Sequence, residues 1–216
     1  MKSIDWAIQI LKQEIMQWKE PIVGVVANQT RDPFQVLISC VLSLRTKDET
    51  TAGASERLFK LASTPQTMGR LRNSKIEKTI YPVGFYRTKA KSIKEICKRL
   101  VHQYAGKVPD EIEELVKLPG VGRKTANLVV TLGYQKYGIC VDTHVHRISN
   151  RWGYVKTKTP EDTEVSLRKK LPKKYWMIFN DLLVPYGQNL CRPISPFCSL
   201  CKISSFCCKV GVNSSR

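Results

Sequence analysis

The chain has 216 residues, 42% of them hydrophobic and 25% charged, which is the composition of a globular protein with length for one domain or two small ones. Thirty-six Lys and Arg against eighteen Asp and Glu leave a formal net charge of +18, which points to a polyanionic partner, nucleic acid first, though a basic surface serving solubility alone stays open. Export and membrane insertion are excluded as readings: Asp5, Gln9, Lys12 and Glu14 break up any signal-peptide core, and the apolar run from Phe34 to Leu44 is too short to span a bilayer.

An intracellular protein is therefore expected. Thiols stay reduced there, so the eight cysteines read as metal ligands or buried thiols before disulfides.

In chain order, the spacing of Ile4, Ile8, Leu11, Ile15 and Trp18 predicts an N-terminal helix with one apolar stripe. Asp32-Pro33 reads as an N-cap followed by proline at the first helical position, opening a buried helix through Val41. Ser74 and Glu77 match a capping box. Ile93, Ile96, Leu100 and Tyr104 form the inner face of a helix that stops near Gly106; Lys91, Lys94 and Lys98, with Arg87, lie opposite and read as a solvated charged face. Thr159-Pro160 opens another helix, with Asp162 in its first turn, where the helix dipole favours an anion. Strand signals are scarce, and the fold class is all-α.

Three stretches carry chemistry. In Leu118-Pro119-Gly120-Val121-Gly122-Arg123-Lys124, proline and two glycines make a tight turn and Arg123 starts a helix. Such a turn exposes backbone N–H groups at a positive dipole end, and glycines let the backbone approach a phosphate strand. The plainer alternative is an ordinary connection between helices. Asp142, ahead of Thr143, could be no more than an N-cap. His144 and His146, two residues apart on a helix, point to different faces and make no metal site. The third stretch is Cys191-x6-Cys198-x2-Cys201-x5-Cys207, where the helical pattern ends and cysteines become dense. These thiolates suit either tetrahedral zinc or an iron–sulfur cluster, and the spacing alone does not choose. Cys208 is set aside as a ligand, and Cys40, Cys97 and Cys140, in apolar surroundings, read as buried thiols.

In this order and at these separations, the three stretches resemble the helix-hairpin-helix DNA glycosylases with an iron–sulfur cluster, most closely the endonuclease III family. Pro33-Phe34, Leu42-Ser43, and Gly84-Phe85-Tyr86 ahead of Lys89-Ala90 extend the likeness, which runs from about Pro33 to Cys207. The resemblance implies a six-helix barrel domain over residues 26–136 carrying the hairpin. It implies a second domain from residues 1–25 plus 137–211, with Cys191, Cys198, Cys201 and Cys207 holding a 4Fe–4S cluster. It makes Lys124 and Asp142 the catalytic pair, facing each other across a cleft, and assigns Gly120, Val121, Gly122, Arg123 and His144 to DNA contact. Phe85 matches a wedge position. Arg45 stands where the bacterial enzymes carry a glutamine that fills the gap left by a flipped base, which leaves the opposite-base preference open.

The activity implied is a bifunctional DNA glycosylase and AP lyase acting as a monomer on double-stranded DNA with oxidised pyrimidines or abasic sites. A lysine amine is protonated at neutral pH, so burial and the helix terminus would both have to favour its neutral form. The alternatives are a monofunctional mismatch-specific glycosylase, a non-catalytic hairpin protein that needs neither Lys124 nor Asp142, and a zinc-ribbon module.

Overall fold

A computed structural model describes residues 2–18 and 32–216. All regular structure among them is helical: α1 (Ile4–Glu14), α2 (Pro33–Ser43), α3 (Asp48–Leu61), α4 (Pro65–Arg70), α5 (Asn73–Ile80), α6 (Tyr86–Gln103), α7 (Ile112–Leu115), α8 (Arg123–Leu128), α9 (Thr143–Arg151), α10 (Pro160–Lys170) and α11 (Phe179–Asn189). Short 3-10 turns lie at Ile15–Gln17 and Lys173–Tyr175, and a π-helical turn, Val129–Gly133, continues α8. The chain divides into two compact units, Ile22–Gly138 and Met1–Pro21 with Ile139–Arg216.

In the unit Ile22–Gly138, the carboxylate of Asp32 accepts the N–H of Phe34 at 2.8 Å and Pro33 follows as the first helical residue, so α2 starts where the sequence sets it. Its residues Phe34 and Val36 to Leu42 are buried, and α2 packs on α3, α6, α8 and the π turn. The inner face of α6 (Ile93, Ile96, Leu100) joins this core, with Tyr104 packed at its edge. The expected box at Ser74 and Glu77 does not form: α5 begins two residues earlier, with Arg72 as its N-cap, and Glu77 instead accepts from the Asn73 side chain at 2.6 Å. A box does form at Thr64 and Thr67, where each side chain bonds the other's backbone N–H. Threonine at the third helical position does the work usually given to Glu or Gln, which is why the sequence pattern missed it.

In the other unit, α1 buries Ala7, Ile8 and Leu11 against α11, and α9 packs on both α10 and α11. Trp152 meets Phe179 and Phe206 edge-on, so the aromatic centre of this core reaches the cysteine-rich segment. Thr159 caps α10 through the N–H of Asp162 at 3.1 Å. Among the described residues no helix is long and apolar enough to cross a membrane.

Candidate active site

The candidate residues fall in two sets, one per unit. In Ile22–Gly138 the hairpin turns on Gly120, whose φ of +77° is one that L side chains rarely adopt, while its missing Cβ would have room beside Ser92. Gly122 differs. It is the N-cap of α8 with an ordinary φ of −92°, and a Cβ there would meet nothing within 4 Å. No backbone constraint therefore asks for glycine at Gly122; what its absent side chain leaves is bare backbone at an open surface. Val121 is buried and donates its N–H to Leu118, so it anchors the turn from inside. Arg99 on α6 ties the hairpin down by donating to the carbonyl of Lys117 at 2.8 Å.

Arg123 and Lys124 take the first two positions of α8, and both are exposed. The burial expected to favour a neutral amine at Lys124 is not supplied by the folded chain: Lys124 is exposed, while Thr125 and Ala126, next on the same turn, are buried. The helix-terminal position is present. Beneath lies Cys40, whose thiol is pushed up to about 12 by burial, with the positive charge of Lys124 pulling the other way.

Arg45 and Phe85 lie in the same unit, on neighbouring turns. Both have left-handed backbones, with φ of 53° and 57°, both are exposed, and the guanidinium of Arg45 sits 5.7 Å from the Phe85 ring centroid. A cation over an aromatic face at this distance is a favourable contact. Lys89, a residue whose role sequence reasoning missed, is buried behind them. Its signal was available: it stands four residues before Ile93, on the apolar stripe of α6 rather than the charged face.

In the other unit, Asp142 is the N-cap of α9, and one oxygen, Oδ1, accepts both the His144 and Val145 backbone N–H groups at 2.9 Å. His144 Nδ1 is 3.1 Å from Arg147 Nη2. A guanidinium only donates, so in this contact Nδ1 is the acceptor side. Arg147 also donates to the carbonyls of Gly187 and Cys191, at 3.2 and 2.8 Å. His146 bonds Thr163, as a structural histidine does.

Cys191, Cys198, Cys201 and Cys207 line one pocket, together with Arg151, Trp152 and Tyr186. Donors point at the sulfurs: Tyr186 Oη lies 2.8 Å from Cys201 Sγ, Arg151 Nη1 lies 3.5 Å from Cys191 Sγ, and the Lys209 N–H lies 3.3 Å from Cys207 Sγ. Burial first, and then the neighbouring thiols, push Cys207 up to about 11. Among the described residues no three His, Cys, Asp or Glu side chains are arranged to hold a metal ion. Four thiols with hydrogen-bond donors beside them are sulfur ligands of the kind that either zinc or an iron–sulfur cluster takes. Cys208 is exposed, and Cys40, Cys97 and Cys140 are buried thiols.

Residues 38–173 match the HhH-GPD superfamily base excision DNA repair protein profile. The chain is 51% identical to endonuclease III of Thermotoga maritima over 82% of its length and 83% of that protein. It is 39% identical to the mouse endonuclease III-like protein 1, covering 94% of this chain and 72% of the relative. Among solved structures, a trapped endonuclease III–DNA covalent intermediate superposes with a TM-score of 0.81 at 33% identity, covering 96% of both chains. The chain belongs to the HhH-GPD superfamily of base excision DNA repair proteins and, within it, to the endonuclease III family.

Proposed function

We propose that the chain is a bifunctional DNA glycosylase and AP lyase of base excision repair, removing oxidised pyrimidines from double-stranded DNA and nicking at the abasic site. The observation that carries this reading is Lys124: a lysine in the first turn of a helix opened by a bare glycine backbone, exposed where a DNA strand can reach it. A chain that only bound DNA would need the glycines and the positive charge but not that amine. The related endonuclease III has been trapped as a covalent intermediate with DNA, which requires a protein nucleophile of this kind.

In this reading the barrel domain expected over 26–136 presents the hairpin and the domain completed by 137–211 carries the cluster, the boundary expected at 25/26 lying outside the described residues. Gly120, Gly122 and Arg123 bring backbone and charge to the phosphates, and His144, in the first turn of α9, contacts the strand. The damaged nucleotide is flipped out of the stack. The neutral amine of Lys124 attacks the sugar C1′ as the N-glycosidic bond breaks, and the base leaves with the bonding pair. Asp142 balances the positive charge that develops on the sugar and takes the proton from lysine. Opening of the sugar ring leaves a protonated imine. Loss of the C2′ proton then expels the 3′ phosphate, and water releases Lys124. Bound DNA, rather than the fold, excludes water from the exposed amine.

Cys191, Cys198, Cys201 and Cys207 would hold a 4Fe–4S cluster, which when bound would tie together the segment that follows α11. Excision and elimination involve no net electron transfer. Borohydride reduction during turnover on DNA with an oxidised pyrimidine or abasic site should give a covalent adduct, and Lys124→Ala should abolish it. Survival of the adduct in that variant would remove Lys124 from the mechanism.

A further inference from the structure

A buried ammonium with no carboxylate partner among the described residues sits directly behind the Arg45–Phe85 pair. Lys89 is 7% exposed, and its Nζ donates to the carbonyl of Leu42 at 2.7 Å, to the carbonyl of Leu44, and to Thr46 Oγ1 at 3.0 Å. An ammonium has three donors, and here all three are used. Two of the acceptors are carbonyls at the C-terminal end of α2, which no intrahelical N–H can reach and where the helix dipole favours a cation. The third is a hydroxyl that passes the restraint on: Thr46 Oγ1 also accepts the N–H of Gly84 at 3.2 Å.

These contacts join two turns. One is Leu44–Thr46, which carries Arg45; the other is Gly84–Phe85, which carries the exposed ring. The join is close: a Cβ on Gly84 would stand 2.7 Å from the carbonyl oxygen of Arg45, so only glycine lets the two backbones meet. Left-handed φ at a non-glycine residue costs on the order of 1 kcal/mol, and two such residues on adjoining turns need surroundings that hold them. Burying an unpaired charge is itself costly, and burial pulls the Lys89 pKa down to about 8. A hydrophobic residue would suit the apolar stripe of α6 without that cost, but it could not hold three acceptors.

We infer that Lys89 is a positioning residue for the strand-probing pair, fixing the Arg45 turn against the Phe85 turn through Leu42, Leu44 and Thr46. The inference rests on the reading of Arg45 as the residue that fills the space left by the flipped nucleotide. It separates two parts of the reaction. Filling that space matters only in a duplex, where a base is orphaned; elimination at an abasic site in single-stranded DNA has no orphaned base.

The test compares Lys89→Met, Thr46→Val and Arg45→Ala with the parent protein. Imine trapping is measured on a single-stranded abasic oligonucleotide, and single-turnover excision on a duplex lesion with 2-aminopurine placed opposite. A misplacement of this kind costs between about tenfold and a hundredfold. Lys89→Met should lose about tenfold or more on the duplex, with a weakened 2-aminopurine change, while single-strand trapping stays within about twofold. Thr46→Val, which removes one hydroxyl and keeps the fold, should shift both readouts the same way by less. Combining Lys89→Met with Arg45→Ala should add nothing to Arg45→Ala.

Equal losses on both substrates, or an unchanged duplex rate, would overturn the positioning role. If Arg45→Ala itself leaves the duplex-to-single-strand ratio untouched, the gap-filling reading fails first and takes the inference with it. If Arg45→Ala lowers that ratio and neither Lys89→Met nor Thr46→Val does, only the inference fails.

Discussion

Oδ1 of Asp142 accepts the backbone N–H of Val145 at 2.9 Å, so the proposed catalytic carboxylate is also the N-cap of α9. The two roles separate chemically. Capping needs an acceptor oxygen, which asparagine keeps; charge balance at a cationic sugar needs the carboxylate, which asparagine lacks. Asp142→Asn should therefore leave stability within about 0.5 kcal/mol, because Asn and Asp cap equally well, while Asp142→Ala should cost about 1 kcal/mol. Excision by Asp142→Asn should fall by a factor on the order of 100. Urea unfolding and single-turnover excision of the same samples check both halves. An Asn variant with parental excision would reduce Asp142 to its cap.

The two hairpin glycines make opposite predictions. Gly120 adopts φ of +77°, so Gly120→Ala should destabilise by on the order of 1 kcal/mol. Gly122 has an ordinary φ and open space where a Cβ would go, so Gly122→Ala should fold as stably as the parent. If that surface meets DNA phosphates, the same methyl should weaken binding several-fold at fixed salt, with a shallower dependence on salt concentration. Fluorescence anisotropy across a salt series measures this. A Gly122→Ala protein with parental affinity would move the phosphate contact elsewhere.

The sequence was most legible where local chemistry is self-contained. Asp32-Pro33, Thr159-Pro160 and the glycine turn before Arg123 each specify a helix start from adjacent residues, and each is found where it was expected. It was least legible where a residue's meaning depends on distant partners. Lys89 stood out only as part of a matching stretch on an apolar stripe, and what it binds was not legible because its acceptors lie 43 to 47 residues away. Lys94, taken for part of a solvated face, donates to the carbonyl of Leu71, while Lys91 and Lys98 do remain exposed. Arg147 and Arg151, one turn apart on α9, carry no motif, yet their guanidinium groups donate to the carbonyls of Gly187, Cys191, Arg192 and Pro193.

The cysteine set leads to a spectroscopic prediction. Purified protein should be yellow-brown with broad visible absorbance, and Cys198→Ser should bleach or lose it. The donors aimed at the sulfurs matter as well: removing the Tyr186 hydroxyl with Tyr186→Phe should keep the ring in the core but alter the cluster's potential or its lifetime in air. A colourless protein binding one zinc per chain would replace the cluster with a mononuclear site.

Buried titrating groups set the response to alkali, with opposite signs. Burial pushes the thiols of Cys40 and Cys97 up to about 12, against about 8.5 in an unfolded chain. Between those values the folded state keeps protons that the unfolded state has lost, so their stabilisation is whole below about 8.5 and is lost as pH rises through 12. Lys89 runs the other way. With its pKa pulled to about 8 from 10.5, the unfolded state binds the extra proton between those values, and stability rises with pH across that window. The two effects oppose each other until the lysine is spent. Two thiols outweigh one lysine from about pH 9, and above about pH 10.5, with the lysine spent, nothing offsets them, at up to about 1.4 kcal/mol per pH unit for each group. Tyr134, raised to about 12 mainly by burial, adds a term of the same sign. Urea unfolding of reduced protein from pH 8 to 12 should show stability falling through most of that range and most steeply above about pH 10.5. Cys40→Ala with Cys97→Ala should be less stable at pH 8 but visibly flatter above pH 10.5, with a residual slope from Tyr134 and from Tyr186, whose phenol burial raises further. An unchanged slope in that double variant would mean that the two thiols ionise in the folded protein as readily as in the unfolded chain.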